Sequence, residues 1–178
     1  MVGDFVLKRG SQLDVSYRAS SLSEQTGSFR KGPKAGDRAP DGQLLDPSGQ
    51  PTSLFAQFRT PEFRLLIFQG RRHGADAEAL AAIGQRVRAA TDGLVRPLVI
   101  TIDNTTGPDD DVIVLNDPKQ GTHVCYGVST PSLCLIRPDG YVGFRCHAGD
   151  EAELLSYLQR HYGIVASLQA EALDAYLS

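Results

Sequence analysis

Two continuous apolar runs constrain what this 178-residue chain can fold into. Arg64-Leu65-Leu66-Ile67-Phe68 and Pro97-Leu98-Val99-Ile100-Thr101-Ile102 have strand length and no polar alternation, the pattern of strands covered on both faces at the centre of a sheet. Between them, Leu80, Ile83 and Val87 recur at i, i+3 and i+7 within residues 75–90, with Asp76 placed as an N-cap and Arg86 and Arg88 near the C-terminal dipole. A strand, a helix and a second strand read as a βαβ unit, whose strands are expected to be parallel with a right-handed crossover.

The flanking pattern extends this unit. Residues 43–45 followed by Asp46-Pro47-Ser48-Gly49 read as a strand and turn opening a small hairpin, and residues 54–58 as a helical turn. An apolar run at 112–115 precedes a short helix expected over 118–126. Leu133-Cys134-Leu135-Ile136 and Tyr141-Val142-Gly143-Phe144 flank the turn signal Arg137-Pro138-Asp139-Gly140 and predict an antiparallel hairpin. Asp150 with Glu153 predicts a capping box, opening a helix that buries Leu154, Leu155 and Leu158 and stops at Gly163. The order β, α, β, α, β, β, α is the thioredoxin arrangement, so residues 36–163 are expected to form an α/β domain with a central mixed sheet flanked by helices. Residues 1–35 read as an N-terminal arm or linker, with the basic stretch at 29–34 solvated, and residues 164–178 as a C-terminal helical tail.

Composition limits the partners. Eighteen Lys and Arg against 21 Asp and Glu give a net charge of −3, without the basic excess that phosphate-backbone binding needs, so nucleic acid is not an expected partner. No apolar run approaches the ~18 residues of a membrane span, and MVGDFVLKRG lacks the apolar core of a signal peptide. The expectation is a cytoplasmic chain without a membrane partner, whose three cysteines are reduced thiols.

Gly36-Asp37-Arg38-Ala39-Pro40, the turn at 46–49, Leu54 and residues 65–68 together resemble the opening of peroxiredoxins and related thioredoxin-fold proteins. Tyr126-Gly127-Val128-Ser129-Thr130-Pro131 is similar to the stretch carrying that fold's cis-proline, which makes Pro131 the candidate. The resemblance implies a redox motif just after the first central strand, where a helix N-terminus lowers a thiol pKa. That place reads Arg72-His73-Gly74-Ala75-Asp76 and holds no sulfur. Neither His73 nor Asp76 can form a mixed disulfide or a sulfenate, so Cys125, Cys134 and Cys146, which lie elsewhere, are read as structural. His123 with Cys125 and Cys146 with His147 supply possible metal ligands, but neighbours on a strand point to opposite faces and the spacing fits no common zinc pattern, so no metal is expected.

Residues 135–145, Leu-Ile-Arg-Pro-Asp-Gly-Tyr-Val-Gly-Phe-Arg, together with residues 36–40 upstream, resemble the C-terminal domain of flavin-dependent aromatic-ring hydroxylases of the phenol hydroxylase class, over residues 13–162. The motif residues are Arg137, Pro138, Asp139, Gly140, Tyr141, Val142, Phe144 and Arg145, with both arginines read as surface charges. The resemblance implies a thioredoxin-like domain that has lost its redox cysteines, follows FAD and substrate domains, and takes part in dimer contacts. A glycine-rich dinucleotide loop is missing from this sequence, so no cofactor is expected in the chain and FAD is implied only for a parent or partner enzyme.

In the tail, Val165, Leu168, Ala172 and Tyr176 fall on one helical stripe widened by Leu173 and Leu177, which needs cover from its own domain or from another chain. The expected function is a non-redox structural or dimerisation module, a homodimer or a unit that docks on a flavin hydroxylase. The alternative is a divergent peroxiredoxin-like or thiol-disulfide oxidoreductase enzyme using a displaced cysteine.

Overall fold

The two apolar runs stand at the centre of the sheet. A computed structural model describes residues 16–72, 74–103 and 112–164. Among these, the strands are β1 (Glu24–Gln25), β2 (Gln43–Leu45), β3 (Pro51–Ser53), β4 (Phe63–Phe68), β5 (Val95–Thr101), β6 (Ile113–Asn116), β7 (Ser132–Ile136) and β8 (Val142–His147). The helices are α1 (Leu54–Gln57), α2 (Ala77–Ala90), α3 (Gly121–Tyr126) and α4 (Glu151–Tyr162). The strands form one mixed sheet in the order β1-β8-β7-β4-β5-β6-β2-β3. Strands β4 and β5 are parallel from Phe63↔Val95 to Phe68↔Ile100, as the βαβ reading requires, while β7 closes antiparallel on the other side of β4.

Alternation along the strands divides the core into two layers. Leu65 and Ile67 pack with Leu80 and Val87 of α2 and with Leu154, Tyr157 and Leu158 of α4. Leu66 and Phe68 pack with Leu54 of α1, Tyr126 of α3, and Ala39 and Leu44 from the segment before them. The hairpin β7–β8 changes phase at an irregularity where Ile136 pairs with Val142 but Leu135 pairs with Phe144, leaving Gly143 unpaired. This bulge puts Val142 in the second layer and Phe144 in the first.

Several local expectations change. Helix α4 has no capping box: it is entered from a 3₁₀ turn, Ala148–Asp150, and the Asp150 side chain makes no capping bond. In that turn Asp150 has a non-extended backbone, and Glu151 of the first turn pairs with Arg86 at 2.6 Å. The buried face of α4 includes Tyr157, and Leu155 is only half-buried. Helix α3 begins at Gly121, later than the pattern at Pro118 suggested.

The described part of the N-terminal arm lies against the sheet. Glu24 and Gln25 pair in parallel with Phe144 and Arg145, and the amide of Thr26 donates to Arg145 O at 2.8 Å. Pro33, inside the stretch read as solvated, and Ala35, just after it, are buried. A two-residue strand has too little periodicity to stand out in sequence, and its stability comes from the partner edge. The tail residues Val165, Leu168, Ala172, Leu173, Tyr176 and Leu177, and also His73, lie outside the described residues. Among the described residues no helix is long and apolar enough to cross a membrane.

Two glycines separate backbone strain from steric contact. Gly140, at φ +82°, has open space where a Cβ would stand, whereas at Gly127, at φ +65°, a Cβ would meet Lys31 O at 2.2 Å. Gly140→Val is expected to lose about 1–2 kcal/mol through the left-handed backbone alone. Gly127→Ala should lose more, although alanine is the smaller side chain. Urea titrations of both variants test this, and the reverse ranking would contradict the assigned contact.

Candidate functional site

Open α/β sheets present their chemistry at the carboxyl ends of their strands, and here that place is the turn from β4 into α2. Gln69, buried directly after β4, fixes the turn: its Oε1 accepts from the amide of Ile102 at 2.8 Å, and its Nε2 donates to Ala75 O at 3.2 Å and Asp103 Oδ2 at 3.0 Å. Gly70, at φ +85°, presses against the Thr130–Pro131 backbone, and the amide of Arg72 donates to Ser129 O at 2.7 Å. Asp76 caps α2, its carboxylate accepting from the amide of Glu78 at 3.4 Å. The degenerate position Gly74, Ala75 and Asp76 is therefore occupied by helix-capping chemistry, with a carboxylate where a thiolate would have used the helix dipole. At the same turn the close face of Gly70 is filled by the Thr130–Pro131 backbone.

Pro131 is a correction to the sequence reading: the described residues contain no cis peptide bond, so its bond to Thr130 is trans. Pro131 O accepts from the amide of Ala148 at 3.0 Å and Thr130 O accepts from the Ser132 hydroxyl at 2.8 Å. Cys134 and Cys146 are buried in opposite core layers, and burial pushes each thiol up to about 12. Cys125 on α3 is exposed, and partial burial raises its thiol from the ordinary value. Among the described residues no cluster of three His, Cys, Asp or Glu forms a metal-binding group.

His123 is fully buried against the edge of Phe68, with ring centroids 5.3 Å apart. Its Nδ1 lies 2.8 Å from Asp117 Oδ2, which also accepts from the His123 amide at 2.9 Å. Asp117 thereby holds the start of α3, where Gln120 supplies no side-chain cap. His123 and Cys125 do not converge as ligands, because one is buried and the other exposed.

Arg137 and Arg145 are buried, contrary to the surface position that the sequence predicts. Arg145 is 1% exposed. It points into the second core layer beside Cys134, donates Nη1 to Pro33 O and Nη2 to Tyr126 O (the latter at 2.7 Å), and stacks on Phe29 with 4.2 Å from Cζ to the ring centroid. Burial lowers the pKa of its guanidinium from the ordinary value, while the neighbouring Cys134, Tyr126 and Asp37 act in the opposite direction. Arg137 is also buried, forks onto Asp139 through Nε and Nη2, and donates Nη1 to Leu22 O at 3.4 Å. Apart from Asp139 in the turn, their acceptors come from the arm and from α3, which strand patterning cannot show. The available signal was a charged residue at an inward position of an otherwise apolar hairpin.

A family model described as aromatic-ring hydroxylase, C-terminal, matches residues 32–164. The chain belongs to this aromatic-ring hydroxylase C-terminal family. A flavin-dependent monooxygenase of Mycobacteroides abscessus is 32% identical to it over 149 residues, a match covering 84% of this chain and 22% of the relative. The aromatic-ring hydroxylase C-terminal chain thus spans about a fifth of the length of that curated relative. Aklavinone-11 hydroxylase, solved with FAD and aklavinone, superposes with a TM-score of 0.57 at 26% identity, over 83% of this chain and 26% of that one. A thiol peroxidase from Chromobacterium violaceum, 15% identical, superposes with a TM-score of 0.59 over 78% of this chain and 95% of its own. The fold of this family member is thioredoxin-like.

Two measurements test this site. Replacing Arg145 by Met removes the donor for two carbonyls in a buried position and should cost about 2–4 kcal/mol in a urea titration. Arg145→Lys should not restore stability, since an ammonium lacks the planar fork that spans both acceptors.

The buried thiols give a pH dependence of known sign. Cys134 and Cys146 keep their protons in the folded state up to about 12, whereas unfolded thiols lose them near 9.0, so above that pH the folded state binds more protons than the unfolded one. Their stabilising contribution is complete below pH ~9 and is lost as pH rises toward the folded value. Tyr126 and Tyr157, also raised by burial, act in the same direction. Stability measured from pH 8 to 11 should fall, and fall less in Cys134→Ala. With a thiol reagent at pH 8 the native chain should show one reactive cysteine, and the denatured chain all three.

Proposed function

We propose that this chain is a cytoplasmic, non-redox thioredoxin-like module that serves assembly, either by self-association or by docking on a flavin-dependent aromatic hydroxylase, and that it holds no flavin, metal or nucleic acid of its own. The observation that carries this reading is the Asp76 carboxylate capping the helix N-terminus at which thioredoxin-fold enzymes keep their thiolate. It is supported by the buried, strongly protonated Cys134 and Cys146. Family membership adds the association with flavin monooxygenases. The FAD- and NAD(P)H-dependent hydroxylation of an aromatic substrate belongs, in this reading, to a parent or partner enzyme.

The proposed contact includes the tail stripe of Val165, Leu168, Leu173, Tyr176 and Leu177, for which burial of each Leu-sized side chain contributes ~1.5–3 kcal/mol before ordering costs. The purified, reduced chain should neither reduce insulin disulfides nor consume peroxide above background, and calorimetry with micromolar FAD should give no saturable heat. Turnover abolished by Cys125→Ser would establish the displaced-thiol enzyme instead. Sedimentation equilibrium at micromolar concentration should give a dimer that Leu168→Glu/Leu173→Glu dissociates. A full-length monomer across that range removes self-association, and a dimer unaffected by the variant moves the interface off the tail.

A further inference from the structure

A second feature gathers at the same end of the sheet. The arm at residues 28–31, the β4–α2 turn and the loop before β7 enclose a cleft of about 410 Å³. That volume is within the range of small-molecule sites, roughly 300–1,000 Å³. Arg30, Lys31, Arg71 and His147 line it together with the hydroxyl residues Ser129 and Thr130, and no carboxylate is among its lining residues. The chain as a whole is acidic, at −3, so this concentration of cations is local. Three arginines elsewhere face carboxylates: Arg18 meets Asp37, Arg86 meets Glu151 and Arg160 meets Glu24, each at 2.6 Å. Among the described residues, Arg30, Lys31 and Arg71 have no such counter-charge.

The walls are fixed rather than loose. Lys31 O lies against Gly127, and Gly32 lies against Tyr126 O, so closely that neither glycine could carry a Cβ. Arg145 ties the carbonyls of Pro33 and Tyr126 together directly behind that contact. Across the cleft, the Arg72–Ser129 backbone bond of 2.7 Å anchors the strand of loop that presents Arg71, and His147 Nδ1 lies 3.4 Å from Thr130 Oγ1. Cations held on rigid backbone, with hydroxyl donors between them, match an oxyanion of high charge, and their mutual repulsion is relieved when one is bound.

We propose that this cleft binds a small molecule carrying a phosphate-type oxyanion, with Arg30, Lys31 and Arg71 neutralising the charge and the Ser129 and Thr130 hydroxyls donating to its oxygens. The inference does not rest on the assembly role, and its test reads binding rather than association. Calorimetry on the full chain in low-salt chloride buffer should show saturable one-site binding of inorganic phosphate or of adenosine monophosphate. Arg71→Gln and Lys31→Gln should each weaken binding at least tenfold, while Arg59→Gln, an exposed charge outside the cleft, leaves it unchanged. All three side chains are exposed, so thermal melts of the variants should match the parent and exclude misfolding as the cause. Tighter binding of the nucleotide than of phosphate identifies an organic phosphate as the ligand class, and equal affinity identifies the free ion. Absence of saturable binding of either probe at millimolar concentration, or equal weakening by Arg59→Gln, overturns the proposal.

Discussion

The guanidinium of Arg145 is the constraint on which the rest of this molecule is arranged. A cation that is 1% exposed and has no carboxylate on it must be solvated by the protein itself, and here the solvent is two backbone carbonyls and the face of Phe29. Those carbonyls belong to Pro33, 112 residues away in sequence, and to Tyr126, 19 residues away. The arm, the last turn of α3 and the hairpin therefore have to meet at one point. If the arm lifted, it would leave a buried charge without one of its acceptors, which costs far more than the surface contacts of a loose linker could recover. The arm is consequently part of the folded unit in energetic terms, whatever its irregular composition suggests.

This also marks what the sequence could and could not disclose. Strands β4 and β5, helix α2 and the β7–β8 hairpin were legible because each is specified locally, by a run, a period or a turn, and each was found at or within a few residues of its expected place. The Asp76 cap and the stop at Gly163 were legible for the same reason. Strand β1, the burial of Arg137 and Arg145, the bulge at Gly143 and the role of Gln69 were not, because each depends on a partner that is distant in the chain. Asp150 shows a related limit: the residue types of a capping box were present, but the preceding 3₁₀ turn set a backbone in which the carboxylate does not cap.

At the candidate site the scaffold persists and the chemistry differs. The turn after β4 still abuts the loop before β7, as the contact of Gly70 with Thr130 and the Arg72–Ser129 bond demonstrate. What has changed is the group at the helix N-terminus. A thiolate there would be stabilised by the dipole and left exposed for attack, whereas the Asp76 carboxylate takes the same stabilisation and offers no nucleophile suited to disulfide chemistry. Of the three thiols, Cys134 and Cys146 lie in the two core layers, where burial favours the protonated form and packing denies access, and Cys125 is exposed on α3, away from that turn. Fold likeness to a thiol peroxidase thus coexists with a carboxylate as the cap of that helix N-terminus.

The family motif has a physical reading of the same kind. Asp139 accepts from the amide of Tyr141 at 3.2 Å and holds the fork of Arg137, while Gly140 supplies the positive φ that closes the turn. Tyr141 in turn meets the edge of Tyr17 at 4.9 Å, and Arg137 reaches Leu22 O, so both ends of the turn grip the arm. Val142 exchanges hydrogen bonds with Gly36 and Asp37, and Asp37 is held below the usual carboxylate range, against the burial that would raise it, by Arg18, the Lys34 amide and Ser16. Arg145 completes the series four residues after Tyr141. Within the stretch Arg137, Asp139, Gly140, Tyr141, Val142 and Arg145 shape the hairpin or fasten the arm to it, while Phe144 packs on Tyr157 of α4 with ring centroids 5.0 Å apart. A motif built in this way specifies how the arm is docked on the sheet.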